Sequence, residues 1–459
     1  MYETFDDTLL SRLNEPVPRY TSYPTAPVWE STTPEVYERH LSQIAKRSNP
    51  LSLYVHIPFC KTMCLFCGCS VILNRRPENE ETYVNYLCKE IELVSAAIGG
   101  RAPICQLHFG GGTPTKLTQD QLERIFFKIV SAFPLDAHAE IAMEIDPRTV
   151  VEDEGAKLKL LKKLGFTRVS FGVQDTNAWV QEAIKRRQSL EVTQKTFRLA
   201  QSLEFQGINL DLIYGLPFQT VATFRETVHA ILEMRPDRIA LFSYAKIPWL
   251  KPHQKAIKEE TLPSTHEKFG MYLAARKLLL GAGYVAIGMD HFALPGDELV
   301  EAFKAKTLRR NFQGYTVLPA DDLIGLGITS IGSVGDGYFQ NVKELSTYYQ
   351  LLDEGKLATF RGKILSPDDL LRQWVIQRLM CDFAVDKAQF QLKFGTSFDG
   401  YFHQERERLK PLIDLGLVSV DPVSVRATAL GILFIRNISA CFDRYFHKKE
   451  GPRQFSKAI

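Results

Sequence analysis

Short apolar runs alternate with helical stretches from residue 52 onward, and this period constrains the fold more than any other feature of the chain. Each interval between two runs is long enough for one crossover helix, which parallel strands require. The period therefore predicts an α/β fold, in which a parallel sheet is wrapped by helices and six βα units form a partial barrel. The predicted strands are Leu53–Phe59, Ile104–Phe109, Glu140–Ile145, Arg168–Val173, Asn209–Tyr214 and Arg238–Tyr244.

The segments before and after this barrel have different patterns. The N-terminal segment contains PRYTSYPTAPVWE, whose prolines resist regular structure and whose aromatic side chains need a surface, so we expect an arm packing on the barrel. The period loosens after residue 246 through the glycine-rich stretch Gly325–Gly337. From Ser366 the chain is mainly helical, with a small hairpin turning at Asp421 and Pro422. We therefore expect an arm (1–50), a barrel with an extension (51–360) and a mainly helical C-terminal domain (361–459).

Charge and hydropathy argue against several classes of protein. Lys and Arg outnumber Asp and Glu by only 56 to 53, without a basic block that could follow a phosphate backbone, so no nucleic acid partner is expected. The amino end, MYETFDDTLLSRLNEP, is acidic and polar, unlike a signal peptide. No run of about 18 apolar residues occurs. We expect a cytoplasmic protein without a membrane span.

Four of the eight cysteines lie between Cys60 and Cys69, which indicates metal chemistry and not a disulfide scaffold. Cys60, Cys64 and Cys67 directly follow the first predicted strand, so they share one loop at its carboxyl end, where α/β folds hold cofactors. Soft thiolates at this spacing suit an iron–sulfur cluster or zinc. A structural zinc site needs a fourth ligand, usually from a second Cys or His pair, and the sequence has no such pair.

Three thiolates on a four-iron cluster leave one iron without a protein ligand. That iron can bind the amino and carboxyl groups of S-adenosylmethionine, and an electron passed through it would release a 5′-deoxyadenosyl radical. Cys69 would close this position if it were a fourth ligand. We therefore expect Cys69 to have a catalytic role beside the cluster or on the substrate side.

Most of the other predicted strands also end in glycine or polar residues. Gly110–Pro114 follows the second strand and lets backbone groups approach a ligand closely. Glu144 lies at the end of the third strand, Gln174 follows the fourth and Asp211 lies in the fifth. Arg186 lies on the helical stretch between the last two. Each residue alone is more often a solvated or structural group, but together they predict a polar ring at the barrel mouth, where Glu144 can accept hydrogen bonds from ribose hydroxyls.

These residues give the chain a resemblance, over nearly its whole length, to the oxygen-independent coproporphyrinogen III oxidases of the radical S-adenosylmethionine superfamily. The fold that the resemblance implies is a partial (β/α)6 radical-SAM barrel with an N-terminal arm and a mainly helical C-terminal domain. The motifs that carry it are Pro18–Pro24, Tyr54–Cys60, Cys67–Cys69, Gly288–Phe292, Asn311–Tyr315 and Cys441–Asp443.

The resemblance implies decarboxylation of two propionates of coproporphyrinogen III to vinyl groups, which gives protoporphyrinogen IX in haem synthesis. It implies one [4Fe-4S] cluster on Cys60, Cys64 and Cys67, two S-adenosylmethionine molecules, and an unidentified electron donor and acceptor. Arg19 is expected to bind a substrate carboxylate, since guanidinium pairs with carboxylate bidentately, and we expect a monomer. The implied S-adenosylmethionine contacts are Tyr54, Phe66, Gly111, Gly112, Thr113, Glu144, Gln174, Arg186, Asp211, Ala245 and Ile331.

Two alternatives stay open at this point. A haem chaperone of the same superfamily shares the barrel and the cluster but lacks decarboxylase activity. Such relatives typically have an aromatic residue at the position of Cys69 and lack the arm that contains Arg19. A simple electron carrier or a zinc-stabilised binding module is the other alternative, although six βα units with a polar ring exceed what electron transfer requires.

Overall fold

The computed structural model describes residues 7–47, 49–100, 102–318, 320–448 and 455–458. A single 13-stranded sheet dominates this part of the chain. None of the helices in these ranges is both long enough and apolar enough to cross a bilayer.

The N-terminal segment contains little regular structure before the barrel begins. Its elements are α1 (Asp7–Leu13), a 3-10 turn (Ala26–Val28), β1 (Glu30–Ser31), α2 (Pro34–Leu41) and α3 (Ile44–Arg47).

Six parallel strands with intervening helices follow, and all six agree with the predicted strands to within a few residues. The six strands are β2 (Leu51–Ile57), β5 (Ile104–Gly111), β6 (Leu135–Ile145), β7 (Arg168–Gln174), β8 (Gly207–Tyr214) and β9 (Arg238–Ser243), and they neighbour one another in this order. Between β2 and β5 lie the short strands β3 (Phe59–Cys60) and β4 (Ile72–Leu73), which form a separate two-stranded sheet. The helices are α4 (Pro77–Ile98), α5 (Gln119–Ala132), α6 (Pro147–Glu152), α7 (Ala156–Lys163), α8 (Ala178–Ala183), α9 (Leu190–Ser202) and α10 (Val221–Met234).

The extension adds strands to both edges of this sheet. Its helices are α11 (Thr265–Gly281), α12 (Glu298–Lys304) and α13 (Leu345–Asp353). Its strands are β10 (Val285–Ile287), β11 (His291–Ala293), β12 (Arg309–Asn311), β13 (Gly314–Thr316), β14 (Asp322–Leu326), β15 (Ile331–Val334), β16 (Gly337–Asn341) and β17 (Thr359–Ile364). β11 and β10 continue the sheet beyond β9, while β14 to β17 and then β1 continue it beyond β2.

The glycine-rich stretch Gly325–Gly337 forms strands, whereas its sequence shows only a loosened pattern. β14 pairs in parallel with β2 and adds a seventh parallel strand. A Cβ on Gly325 would lie 2.8 Å from the backbone of Ile331, and one on Gly332 would lie 2.7 Å from Leu323 O. The glycines therefore permit a close approach of β14 and β15 that a side chain would prevent.

The C-terminal segment is mainly helical, as predicted, and contains the predicted hairpin. Its helices are α14 (Pro367–Asp382), α15 (Lys387–Phe394), α16 (Phe398–Tyr401), α17 (His403–Asp414), α18 (Ile435–Ala440) and α19 (Arg444–Lys448). Its strands are β18 (Ala384–Asp386), β19 (Val418–Val420) and β20 (Ser424–Ala427).

Residues 17–23 of the arm pack on this C-terminal segment, whereas Tyr37, Leu41 and Ile44 of the same arm belong to the main core of the barrel. Tyr20 and Tyr23 are buried in the C-terminal core, and Tyr20 OH donates to Asp443 Oδ2 at 3.1 Å. The buried guanidinium of Arg436 donates to backbone carbonyls of the arm and of residues 456–458. Arg19 Nη2 donates to Ser243 O, at the end of β9, at 2.8 Å. The arm thus holds Arg19 at the barrel mouth.

The two-residue period of the strands separates the core from the cavity. In β5 and β6, Leu107, Phe109 and Met143 belong to the main hydrophobic core, while the alternate residues His108 and Glu144 face the cavity. Successive side chains of a strand point to opposite faces. The barrel interior is therefore polar, although the sequences of its strands are largely apolar.

A buried carboxyl group joins α4 to the added strands. Glu90 accepts hydrogen bonds from Gly327 N at 2.6 Å, Asn341 Nδ2 at 2.6 Å and Tyr348 OH at 2.7 Å. Burial raises the pKa of Glu90 to about 7, and the three hydrogen bonds oppose this only in part. The proton is thus bound more tightly in the folded chain than in the unfolded chain.

The Glu90→Gln protein should show a weaker dependence of stability on pH than the wild type. The wild-type contribution of this group is complete below about pH 4.5 and is lost as the pH rises through about 7, a change of about 3 kcal/mol. Denaturant unfolding at several pH values between these limits measures it. Glu354→Gln, at an exposed carboxylate, is the control, and an unchanged pH slope for Glu90→Gln would contradict the prediction.

Candidate active site

A cavity of about 1130 Å³ opens at the carboxyl ends of the parallel strands. Its wall contains Arg19 and the four clustered cysteines, Cys60, Cys64, Cys67 and Cys69. Nine of the eleven residues implied as S-adenosylmethionine contacts also line it: Phe66, Gly111, Gly112, Thr113, Glu144, Gln174, Arg186, Asp211 and Ala245. Residues from eight separate segments thus meet in one cavity.

The other two residues of that set lie outside the wall. Tyr54 lies behind it, with its ring stacked on His108 at 5.9 Å between centroids and its hydroxyl 3.1 Å from His56 Nδ1. Ile331 lies at the start of β15 and packs against the small core formed by Trp29 and its neighbours. Its role as a cofactor contact stays a prediction.

The cysteine loop begins at the end of β2 and is closed by the pairing of β3 with β4. Cys64 is buried and its Sγ lies 3.7 Å from Arg186 Nη1, while Cys60 Sγ lies 3.4 Å from Thr113 Oγ1. Burial raises the pKa of the Cys60 thiol to about 11. The thiolate of Cys60 therefore needs a cation beside it, which iron ligation provides.

Three side-chain hydrogen bonds from a later segment of the chain hold the backbone of this loop. They come from a 3-10 helix, Pro252–Ala256, and from the residue before it. The contacts are Lys251 Nζ to Cys69 O at 2.7 Å, His253 Nε2 to Cys67 O at 2.9 Å and Gln254 Nε2 to Phe66 O at 2.9 Å. The sequence gives no signal for these residues, because their segment lies beyond the βα period and carries no motif.

The glycine turn after β5 lies against the cysteine loop. Gly112 N donates to Ile57 O at 2.8 Å and Thr113 N donates to Phe59 O at 3.0 Å. Gly111 has φ +117°, and a Cβ on Gly112 would lie 2.6 Å from Pro58 O. Only glycine fits these two positions, so the turn brings its backbone directly against the start of the loop.

Glu144 is fixed at the end of β6 by two groups of β5. Gly111 N donates to Glu144 Oε2 at 3.1 Å, and His108 Nε2 lies 3.3 Å from Oε1. Desolvation in the cavity would raise the pKa of Glu144, but His108 and the Gly111 N–H outweigh it and lower the pKa below its usual value. Glu144 therefore presents an ionised acceptor to the cavity.

Asp211 differs from Glu144, because its pKa is raised and not lowered. Asn209 Nδ2 donates to its Oδ1 at 2.7 Å, and Ser170 Oγ lies 3.4 Å from the same atom. Burial and the nearby charge of Glu144 raise the pKa of Asp211 to about 6. The cavity thus holds one carboxylate that is firmly ionised and one that can also carry a proton.

Gln174 and Arg186 complete the polar ring. Gln174 has φ +71°, and its buried Oε1 has no hydrogen-bond partner within the described part of the chain. Arg186 Nη2 donates to Gly172 O at 2.7 Å and its Nη1 lies 3.2 Å from Asp146 Oδ2. A buried polar atom without a partner is costly, so a ligand with a donor group fits beside Gln174.

The donor set fits an iron–sulfur cluster with a nucleoside beside it. Within the described ranges, no three His, Cys, Asp or Glu side chains converge tightly enough to share one metal ion. The thiolates of a four-iron cluster each bind a different iron and need not share one ion. The orphaned Gln174 Oε1 and the ionised Glu144 provide acceptors for the hydroxyl and amino groups of S-adenosylmethionine.

Comparisons with known proteins agree with this arrangement. Residues 54–231 match the family model of the Radical SAM superfamily, and residues 365–434 match the HemN C-terminal domain. The oxygen-independent coproporphyrinogen III oxidase of Synechocystis is 42% identical over 99% of this chain and 98% of its own length. The enzyme of the same name from Escherichia coli K12 is 41% identical, with the same shares covered.

A solved structure extends the agreement to three dimensions. The structure of coproporphyrinogen III oxidase (HemN) from Escherichia coli, described as a radical SAM enzyme, superimposes with a TM-score of 0.90 at 40% identity. The match covers 96% of this chain and 99% of that one. The chain therefore belongs to the oxygen-independent coproporphyrinogen III oxidases, a family of the radical S-adenosylmethionine superfamily.

Proposed function

We propose that this chain converts two propionate side chains of coproporphyrinogen III to vinyl groups and thereby forms protoporphyrinogen IX without oxygen. The observation that carries the proposal is the single cavity, which joins the three cysteines of the loop to the guanidinium of Arg19. Each propionate loses one hydrogen atom, carbon dioxide and one electron, and the electron passes to an acceptor. The reaction therefore balances without molecular oxygen.

Cys60, Cys64 and Cys67 would hold one [4Fe-4S] cluster, and the polar ring would hold S-adenosylmethionine. When bound, these groups supply the adenosyl radical that removes a hydrogen atom from the propionate. Nine of the eleven implied contacts line the cavity, which supports their assignment to S-adenosylmethionine. The volume of about 1130 Å³ exceeds an ordinary single-ligand site and is consistent with two S-adenosylmethionine molecules.

The residues of the chain orient and shield these groups. The Gly111–Gly112 turn allows a close approach of the backbone, and Glu144 accepts hydrogen bonds as a fixed anion. Arg19, fixed by Ser243 O, keeps other donors for a carboxylate of the substrate. Cys69 is exposed beside the loop, so we assign it to the substrate side and not to the iron.

Haem binding without decarboxylation is the alternative function, and the arm speaks against it. Motif Pro18–Pro24, which we expect such chaperones to lack, is present and places Arg19 in the cavity. The relatives with full-length similarity carry the name of the oxidase.

An anaerobic assay of the reconstituted protein tests the proposal. Coproporphyrinogen III, S-adenosylmethionine and a one-electron reductant are supplied, and carbon dioxide, 5′-deoxyadenosine and the divinyl product are measured. We expect two molecules of carbon dioxide for each divinyl product. Stable binding of haem with no carbon dioxide would overturn the proposal in favour of the chaperone.

We further propose a monomer that works in the cytoplasm with a separate electron donor and acceptor. The eight free cysteines support a reducing compartment. The division into an arm (1–50), a barrel with extension (51–360) and a C-terminal domain (361–459) is supported by the buried arm and by the change to helices after Ser366. Light scattering of the purified holoprotein measures the oligomeric state.

A further inference from the structure

Two sequence motifs, Gly288–Phe292 and Asn311–Tyr315, reach the cavity but have no role in the proposed cofactor sites. His291 on β11 and Tyr315 on β13 line the cavity wall, as does Arg19 from the arm. Three segments that are remote in sequence therefore meet at the β9 and β11 side of the mouth.

His291 is held in one orientation. Its Nδ1 lies 2.6 Å from Asp290 Oδ1, and its ring packs edge-on against Phe242 at 5.9 Å and Tyr315 at 5.3 Å between centroids. Nε2 has no hydrogen-bond partner among the described residues. The pairing with Asp290 therefore leaves Nε2 as the ring nitrogen that is available to a ligand in the cavity.

Asp290 is a buried anion. Burial alone would raise its pKa, but Arg310, His291 and Arg19 lower it to about 2. Arg310 lies 3.8 Å from Asp290 Oδ1 and over the ring of Tyr315 at 4.6 Å. Asp290 thus stays ionised and accepts a hydrogen bond from His291 Nδ1 at 2.6 Å.

Positive charge is in excess around this aspartate. Arg19 and Arg310 both influence Asp290, and Arg436 and Lys268 lie close enough to Arg19 for repulsion to contribute to their lowered pKa values. Burial is the larger cause, and the pKa values fall to about 9 for Arg436 and about 7 for Lys268. Arg19 and Arg310 act on Asp290 itself, and Arg436 is a further cation near Arg19, so the Arg19 side of this end of the cavity attracts an anion.

We infer that His291, positioned by Asp290, forms with Arg19 a binding site for one propionate carboxylate of the tetrapyrrole. The inference rests on the proposed function. In its protonated form the imidazole donates from both nitrogens, to Asp290 from Nδ1 and to the carboxylate from Nε2. Arg19 keeps one nitrogen on Ser243 O and offers its remaining donors to the same carboxylate.

The test measures binding of coproporphyrin III, the fluorescent oxidised macrocycle with four carboxylates, and of its tetramethyl ester. The reconstituted wild-type, His291→Gln and His229→Gln proteins are compared, because His229 is an exposed histidine on α10 and provides a matched control. We expect His291→Gln to bind the acid about tenfold or more weakly, in line with loss of a charge-assisted hydrogen bond, with affinity for the ester unchanged.

The ratio of the two affinities separates carboxylate binding from a structural role. If His291 only stabilises the fold, both ligands weaken together or neither does, and either result overturns the inference. His291→Asn, whose shorter amide can keep a hydrogen bond to Asp290, replaces the glutamine variant if that variant does not fold. The same fall in the acid-to-ester ratio is then expected.

A second measurement separates this inference from the proposed function. Release of 5′-deoxyadenosine by reductant in the absence of porphyrinogen is measured in the wild-type protein, and it reports on the cofactor sites without the tetrapyrrole. If the wild type decarboxylates coproporphyrinogen III and the variant matches it in affinity and KM, the inference alone fails. If the wild type never decarboxylates it, the proposed function fails.

Discussion

The Cys64→Ala protein is expected to lose its iron–sulfur cluster and all cleavage of S-adenosylmethionine. Cys64 is the most buried of the three proposed ligands, and Arg186 Nη1 lies 3.7 Å from its sulfur. Removing it leaves two thiolates and a buried guanidinium facing the vacated position. Iron and sulfide analysis after anaerobic reconstitution, with visible absorbance, measures the loss, which should be nearly complete.

Two further cysteine variants serve as controls for the Cys64→Ala protein. Cys88→Ala removes a half-buried thiol on α4, outside the loop, and should keep its full iron content. Cys69→Ala should keep the cluster but slow the turnover of porphyrinogen, because we place Cys69 on the substrate side. Full iron content in Cys64→Ala would refute its role as a ligand, and iron loss in Cys69→Ala equal to that in Cys64→Ala would show that Cys69 binds iron.

The Glu144→Ala protein is expected to keep its cluster and to lose most of its affinity for S-adenosylmethionine. The carboxylate accepts a hydrogen bond from Gly111 N at 3.1 Å, and a Cβ on Gly110 would lie 2.9 Å from it, so the glycine turn packs directly against Glu144. Hydrogen bonds to a charged group contribute about 1.5–3 kcal/mol, which corresponds to roughly 10- to 150-fold weaker binding. Equilibrium dialysis with labelled S-adenosylmethionine measures this directly.

The isosteric variant and a distant control make the Glu144 result specific. Glu144→Gln keeps the shape and one acceptor oxygen, so its affinity should lie between those of the wild type and the alanine variant. Glu182→Gln changes an exposed carboxylate on α8 and should bind normally. Normal binding by Glu144→Ala would remove Glu144 from the cofactor site.

The barrel strands can be predicted from the sequence because each strand is marked by its own residues and by the length of the spacer that follows. Each of the six predicted strands is a short apolar run with a long spacer, and the structure confirms all six. β14 was missed for an equally physical reason. Gly325 of β14 and Gly332 of β15 allow two backbones to approach closely, and a glycine inside so short a strand interrupts the apolar run that would mark it.

The sequence predicts those parts of the site that directly follow the parallel strands. The cysteine loop, the Gly111 turn and Glu144 follow neighbouring parallel strands, so their meeting follows from topology alone. Contacts made by irregular segments were not predictable. Lys251 and its neighbours hold the loop from a stretch without period or motif, and the packing of Ile331 beside Trp29 depends on the added strands.

The three contacts from Lys251, His253 and Gln254 also bear on how the holoprotein matures. They join segments that are 182 to 188 residues apart along the chain, and the segment that supplies them follows the last of the six parallel strands. Closing so long a loop is a late event in folding. In a partly folded chain the cysteine loop lacks these supports, so iron and sulfide should be delivered to a finished apo-barrel and not to a nascent chain.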